Sequence, residues 1–270
     1  MEFHDFARQP DQQLDVGLGA LLIAKDAYPS LDLALEQARL DALGLGPGAL
    51  RELPPLSQAR VLSEHLYGEL GFRGNDSDYY DPRNSYLNDV MERRVGIPIT
   101  LAVIYQDVAR RAGVSASGVN FPGHFLLRID APDHAPLFID PFHGGGVLDR
   151  DALFRLWAEV TGGKAEVDDK VLRATSSRQT LVRMLMNLRA IYATRGDYRA
   201  LYLVLDRIVE LAPDSASEVR DRGLLAAKLG APRAALEDLA LYLSMAPQAG
   251  DVAEVRRIVD AIEGKIGPEN

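Results

Sequence analysis

A 34-residue spacing inside the last third of the chain limits its fold more than any other feature. "RGDYRALYLVLDRIVELAP" and "LGAPRAALEDLALYLSMAP" place Gly196 and Gly230 34 residues apart, and Pro213 and Pro247 again 34 apart. Two landmarks recurring in phase describe a repeated unit: a helix, a glycine turn, and a second helix halted before proline. One such unit leaves an apolar side uncovered, so copies stack, and the segment is expected to be all-α. Leu201 and Ala235 fall in the slot where the helices cross. Ser176 with Gln179, and Ser215 with Glu218, fit capping boxes, in which the first hydroxyl and the third side chain each satisfy a free backbone amide. Val252, Val255, Ile258, Val259 and Ile262 supply one apolar face for a closing helix.

A period of 34 is that of the tetratricopeptide repeat. The residues before it read differently. Leu31, Leu35, Ala38 and Ala42 share a helical face that ends in the glycine-rich turn Gly44 to Gly48. Ser57 suits the N-cap of a helix from Gln58 to Leu70. "GFRGNDSDYYDPRNSYL" interrupts the pattern as a shaped loop, leading to a short helix from about Arg83 to Arg94 that Asn84 or Ser85 is expected to cap. In "VGIPITLAVIYQDVARRAGV", Pro98 opens a helix whose Leu101, Ile104, Tyr105, Val108 and Ala112 mark it as buried, and Gly113 ends it. Period-two runs follow at Ala116–Phe121, His124–Ile129 and Leu137–Ile139. Folding the last two about the loop "DAPDHA" makes His124 and Asp140 cross-strand neighbours on one face of a sheet. The expected architecture is therefore α+β over residues 1–165, with a helical N-terminal portion, and an all-α array over 166–270.

Composition removes whole classes of function. A formal charge of −9 and a pI near 5.1 argue against nucleic-acid binding, which rests on Lys and Arg contacts to phosphate. No apolar run approaches membrane-spanning length, and Met1 to Pro10, with His4, Asp5 and Arg8, lacks an export leader, so a cytoplasmic protein is expected. The chain has no cysteine, hence no disulfide, no thiolate metal ligand and no thiol nucleophile.

A buried helix whose start faces a strand-borne histidine, itself oriented by an acid on the next strand, is the layout of a papain- or transglutaminase-type thiol site. The residues "GIP", "RAGV", "GHFLLRI" and "FIDPF" make Gly96 to Pro141 resemble the transglutaminase-like fold. More narrowly, "NSYLNDVMERRVGIPITLAVIY", "GVNFPGHFLLRI" and "IDPFHGGGVL", followed by the repeats, resemble the bacterial SirB-like family, a transglutaminase-like domain fused to tetratricopeptide repeats. The resemblance covers nearly the whole chain and implies that the usual Cys position holds Pro98, with His124 and Asp140 as a degenerate site.

The residues around that site have plain readings beside the chemical ones. Proline suits the first turn of a helix, since it has no amide hydrogen to leave unpaired. Thr100, two residues on, is turned by about 200° from Pro98 and is expected to bond backbone near the helix start. Ser85 is the candidate substitute nucleophile. Asn84, Tyr86, Phe121, Pro122 and Phe142, with Tyr79-Tyr80, are expected to wall the cleft. His124, Asp140 and His143 can be drawn as a metal triad, but the adjoining Gly144-Gly145-Gly146 reads as a loose turn, so no metal and no cofactor are expected. Asn75, Asp76, Asp78 and Asp81 lack the terminal Glu of a calcium loop and read as a solvated turn. The favoured function is a non-catalytic scaffold that binds a protein or peptide partner through its repeats. The alternative is a hydrolase or acyl-transfer enzyme in which the His124–Asp140 pair activates water or Ser85.

Overall fold

In this computed structural model, which describes residues 1–162 and 167–266, the short helix Phe3–Ala7 (α1) groups with the residues from Leu185 onward, and Gln9–Met184 form a second unit. The boundary expected between residues 165 and 166 lies outside the described residues. The Gln9–Met184 unit starts with helices Val16–Ala27 (α2), Leu33–Leu43 (α3) and Pro55–Ser63 (α4). Asp15 and Asp32 begin the first two by accepting bonds from the amides of Leu18, and of Ala34 and Leu35. Then come strand Arg73–Gly74 (β1), helix Leu87–Arg93 (α5), strand Val95–Gly96 (β2), paired in parallel with β1, and helix Pro98–Arg111 (α6). A four-stranded antiparallel sheet follows, Ala116–Val119 (β3), Leu126–Ile129 (β4), Leu137–Asp140 (β5) and Gly146–Leu148 (β6), in that spatial order, and then helix Arg150–Thr161 (α7).

Helix α6 is the centre of this unit. From Pro98 to Ala109 every residue except Gln106 is buried. Its large apolar side chains each contribute about 1.5–3 kcal/mol on burial. Its one buried charge, Asp107, is matched by Arg110 at 2.7 Å and Arg111 at 2.8 Å. Pro98 is the first helical residue, and Gly113 ends the helix with φ +77°. β3 and β4 pack on α6, while Val119, Phe121, Leu126, Phe138 and Leu153 form a separate apolar cluster with Trp157 of α7.

Four local expectations are corrected. The buried residues of α3 are Glu36, Leu40 and Leu43, while Leu35 is 52% exposed; two apolar stripes compete on this helix and packing selects the other one. Helix α4 starts at Pro55, not after Ser57, and continues as a π-helical turn over Glu64–Glu69, where the Leu70 amide bonds the His65 carbonyl at 2.9 Å. Strand β6 was not anticipated, since "GVL" is too short to show a period. In the hairpin, Leu127 opposes Ile139, so the continued ladder sets Leu126, not His124, across from Asp140.

The other unit contains most of Ser177–Arg195 (α8), which starts within Gln9–Met184, and all of Tyr198–Leu211 (α9), Ala216–Lys228 (α10), Pro232–Met245 (α11) and Val252–Ile266 (α12). Gly196 and Gly230 make the two turns, at φ +68° and +77°. The capping box of Ser176 and Gln179 forms, with bonds of 3.0 and 3.2 Å. That of Ser215 and Glu218 does not, because the Glu218 carboxylate accepts from Arg189 at 3.1 Å. Val209, Val219, Leu239, Tyr242 and Val255 are the buried core, joined by Ile258, Val259 and Ile262 of α12. Arg222 bridges Asp206 of α9 and Asp238 of α11, and Arg220 reaches Asp251, so successive repeats are tied by ion pairs as well as by apolar contact.

Gly74 of β1 leaves no room for a side chain. A Cβ there would lie 2.6 Å from two Phe142 ring carbons and 2.8 Å from the Phe142 carbonyl oxygen. Gly74→Ala is therefore expected to cost about 1–3 kcal/mol in chemical denaturation. Gly250→Ala, where nothing lies within 4 Å, is the control and leaves stability unchanged or slightly raised.

Candidate functional site

Strand β5 ends on Asp140, and the turn that follows is built on that residue's side chain. Oδ1 accepts the amides of Phe142 at 2.9 Å and His143 at 3.2 Å, and the Asp140 carbonyl accepts the Gly145 amide at 2.8 Å. From the end of α4, Ser63 Oγ donates to the Gly145 carbonyl at 2.8 Å. The triglycine turn is thus closed by hydrogen bonds, which corrects its reading as a loose one. A Cβ on Gly145 would run into the ring of Tyr67 and into Ser63 Oγ.

His124 arrives from the turn before β4 and not from the ladder itself. The turn is closed by the His124 amide on the Phe121 carbonyl at 3.0 Å. Its Nε2 lies 2.9 Å from Asp140 Oδ1, and an ionised carboxylate can only accept, so the ring nitrogen donates. His143 Nδ1 donates to Oδ2 of the same carboxylate at 2.7 Å. The two imidazoles have centroids 6.0 Å apart and planes inclined by 26°. Asp140 is 5% exposed. Burial alone pushes its pKa up, but the hydrogen bonds and charge of His124, the bond from His143 and the Phe142 amide outweigh burial and hold it well below the usual carboxylate range.

Two further groups complete the surroundings. Phe142 stands edge-on to His124 at 6.3 Å and to His143 at 5.1 Å, and Tyr79 stands edge-on to Phe142 at 6.0 Å. Tyr67, on the π-helical turn, buries its hydroxyl without a hydrogen-bond partner among the described residues. Burial pushes its pKa well above the ordinary value, and Tyr105 and the negative charge of Asp140 push it the same way. Sequence periodicity gives no sign of Tyr67, because it sits where the helix changes its hydrogen-bonding step. Single π turns of this kind recur at functional sites.

The start of α6 is held by a polar knot. Thr100 Oγ1 donates to the Asn84 carbonyl at 2.7 Å and accepts the Ile97 amide at 3.2 Å. Its hydroxyl is committed to backbone, as its helical position requires. Asn84 is not a cap: its Nδ2 donates to the Asp78 carbonyl at 2.7 Å and its Oδ1 accepts from Asn75 at 3.0 Å. Asn75 and Asp81 are buried, and Asp81 pairs with Arg83 and Arg93, so the two ends of "NDSDYYDPRN" form an internal network, while Asp76 to Tyr80 between them stay exposed as a solvated turn. Ser85 is buried, its Oγ has no hydrogen-bond partner, and among the described residues no hydroxyl bonds the His124 ring. Tyr86 packs edge-on to Tyr28 at 5.6 Å, and Phe121, past the end of β3, turns into the α7 cluster beside Trp157. Pro122 is half-buried in the turn preceding His124. Of the expected wall, Phe142 packs against both imidazoles and Tyr79 packs behind it on the Phe142 ring.

The geometry agrees with what the chain resembles. A family model of the transglutaminase-like superfamily matches residues 30–186, and one of the tetratricopeptide repeat matches residues 188–260. The chain is similar to a UPF0162 protein of Xylella fastidiosa, 40% identical over 98% of this chain and 96% of that one. It is also similar to a UPF0162 protein of Pseudomonas aeruginosa, 33% identical over 84% of each. Human F-box only protein 21 is 30% identical across 77% of this chain, which is 38% of that protein's length.

The two buried hydroxyls separate structure from chemistry. Thr100→Val strips a partner from the Asn84 carbonyl and the Ile97 amide and is expected to cost about 1–3 kcal/mol. Ser85→Ala removes a hydroxyl that bonds nothing and is expected to leave stability unchanged or higher. Urea denaturation of both variants checks the pair.

Proposed function

We propose, from the premise that the chain belongs to the transglutaminase-like superfamily, that it works without thiol chemistry, as a pseudoenzyme domain joined to repeats that hold a protein or peptide partner. Tetratricopeptide repeats commonly serve protein–protein contacts, and this chain carries a match to them over residues 188–260. The observation that carries the reading is the state of His124: its ring bonds Asp140 and no nucleophile, in a chain that has no cysteine. The resemblance puts the nucleophile at Pro98, an inert ring at the first position of α6. The reading includes a bacterial, cytoplasmic setting and calls on neither nucleic acid nor membrane. No helix of the described residues is long and apolar enough to cross a bilayer.

A second reading has its own support. The His124–Asp140 pair survives intact, with its carboxylate held ionised, which is how such a pair orients an imidazole to take a proton from water or from Ser85. The alternative is therefore a hydrolase or acyl-transfer enzyme.

One experiment divides them. Affinity capture with the intact chain is expected to retain a defined partner in His124→Ala and to lose it when exposed apolar residues of the repeats, Leu203 and Leu241, are changed to Glu. Loss of capture in His124→Ala with retention in the repeat variants contradicts the scaffold reading. So does turnover of an ester or amide that His124→Ala abolishes.

A further inference from the structure

We propose that His124, Asp140 and His143 form a binding site for a divalent first-row transition metal ion of the zinc type. The inference is independent of what the repeats hold. The candidate donor atoms, one ring nitrogen of His124, one of His143 and a carboxylate oxygen of Asp140, all lie within 4.8 Å of one another. Imidazole and carboxylate are the donor set that suits such an ion in a protein without thiolates. Two imidazoles bound to one tetrahedral ion through bonds of about 2.1 Å hold their centroids roughly 5 Å apart, and these stand at 6.0 Å, so a closing shift of about 1 Å seats both on one ion.

The charge balance points the same way. Asp140 is buried, yet among the described residues no lysine or arginine pairs with it; its carboxylate accepts only from two imidazoles and from the amides of Phe142 and His143. Those amide bonds fix Oδ1 and leave Oδ2 facing His143, as outer hydrogen bonds orient a metal-binding carboxylate. On binding, each neutral imidazole carries its proton on the nitrogen facing away, so that a lone pair takes the place of the N–H now aimed at Asp140. The His143 side chain is 63% exposed and has room to rotate onto the ion.

The test uses the full chain, freed of any affinity tag and treated with chelator. Calorimetric titration with Zn²⁺ is expected to show one equivalent bound. Co²⁺ is expected to give a visible absorption band with no thiolate charge-transfer component. His143→Ala and His124→Ala are each expected to weaken binding on the order of a hundredfold. His134→Ala, on the exposed hairpin loop, leaves it unchanged. His143→Ala removes a largely exposed side chain whose place beside Asp140 water can take, and a melting transition that stays cooperative in the metal-free state separates lost binding from lost folding. Failure to bind one equivalent, binding that survives His143→Ala, or binding that follows His134 overturns the proposal.

Discussion

The carboxylate of Asp140 organises everything around it. One oxygen gathers the His124 ring and two backbone amides, and the other takes the His143 ring. Hydrogen bonds to a charged group contribute about 1.5–3 kcal/mol each, and removing a donor leaves charge buried without compensation. The end of β5, the glycine turn and the turn carrying His124 are therefore set by one anion. Among the described residues its carboxylate is met by imidazole and backbone N–H groups and by no lysine or arginine, which makes the same residue the keystone of the turn and the centre of the proposed metal site.

The helix start is a second, separate piece of engineering. Thr100 ties α6 to the Asn84 carbonyl, Asn84 ties the preceding loop to Asn75, and the Asn75 amide bonds the Gly96 carbonyl at 3.0 Å. Gly74, on the strand paired with Gly96, lies flush against Phe142. A chain of close contacts thus runs from the first turn of α6 to the aromatic ring beside the imidazoles. The two ends of this polar loop are spent on holding this geometry, which explains why Asn75, Asp81 and Asn84 are buried while the residues between remain exposed.

Much of this was legible in the residues, for physical reasons that also mark the limits. The 34-residue spacing stated the repeats because glycine turns and helix-ending prolines must recur when units stack. The buried helix was legible because apolar residues occupy nearly every position, and a hairpin loop of defined length brought His124 near Asp140 even though the register is shifted. Side-chain reach absorbs such a shift; packing direction does not, and so Phe121 was placed beside His124 when it faces Trp157. The π-helical turn, and with it Tyr67, has no signature in a run that otherwise reads as ordinary helix. His143 was visible three residues after Asp140, but the glycines beside it concealed a turn that hydrogen bonds close. The Glu218 cap failed because a distant Arg189 outcompeted a local amide, a contact no local pattern reports.

The most direct test of this arrangement is the tautomeric state of the two imidazoles in the metal-free chain, read by long-range ¹H–¹⁵N correlation NMR on ¹⁵N-histidine protein near neutral pH. His124 is expected to carry a hydrogen-bonded proton on Nε2 and His143 one on Nδ1, and Asp140→Asn to disturb both. A His124 ring protonated on Nδ1 alone, or spectra of both rings unaffected by Asp140→Asn, would show that Asp140 does not hold them together.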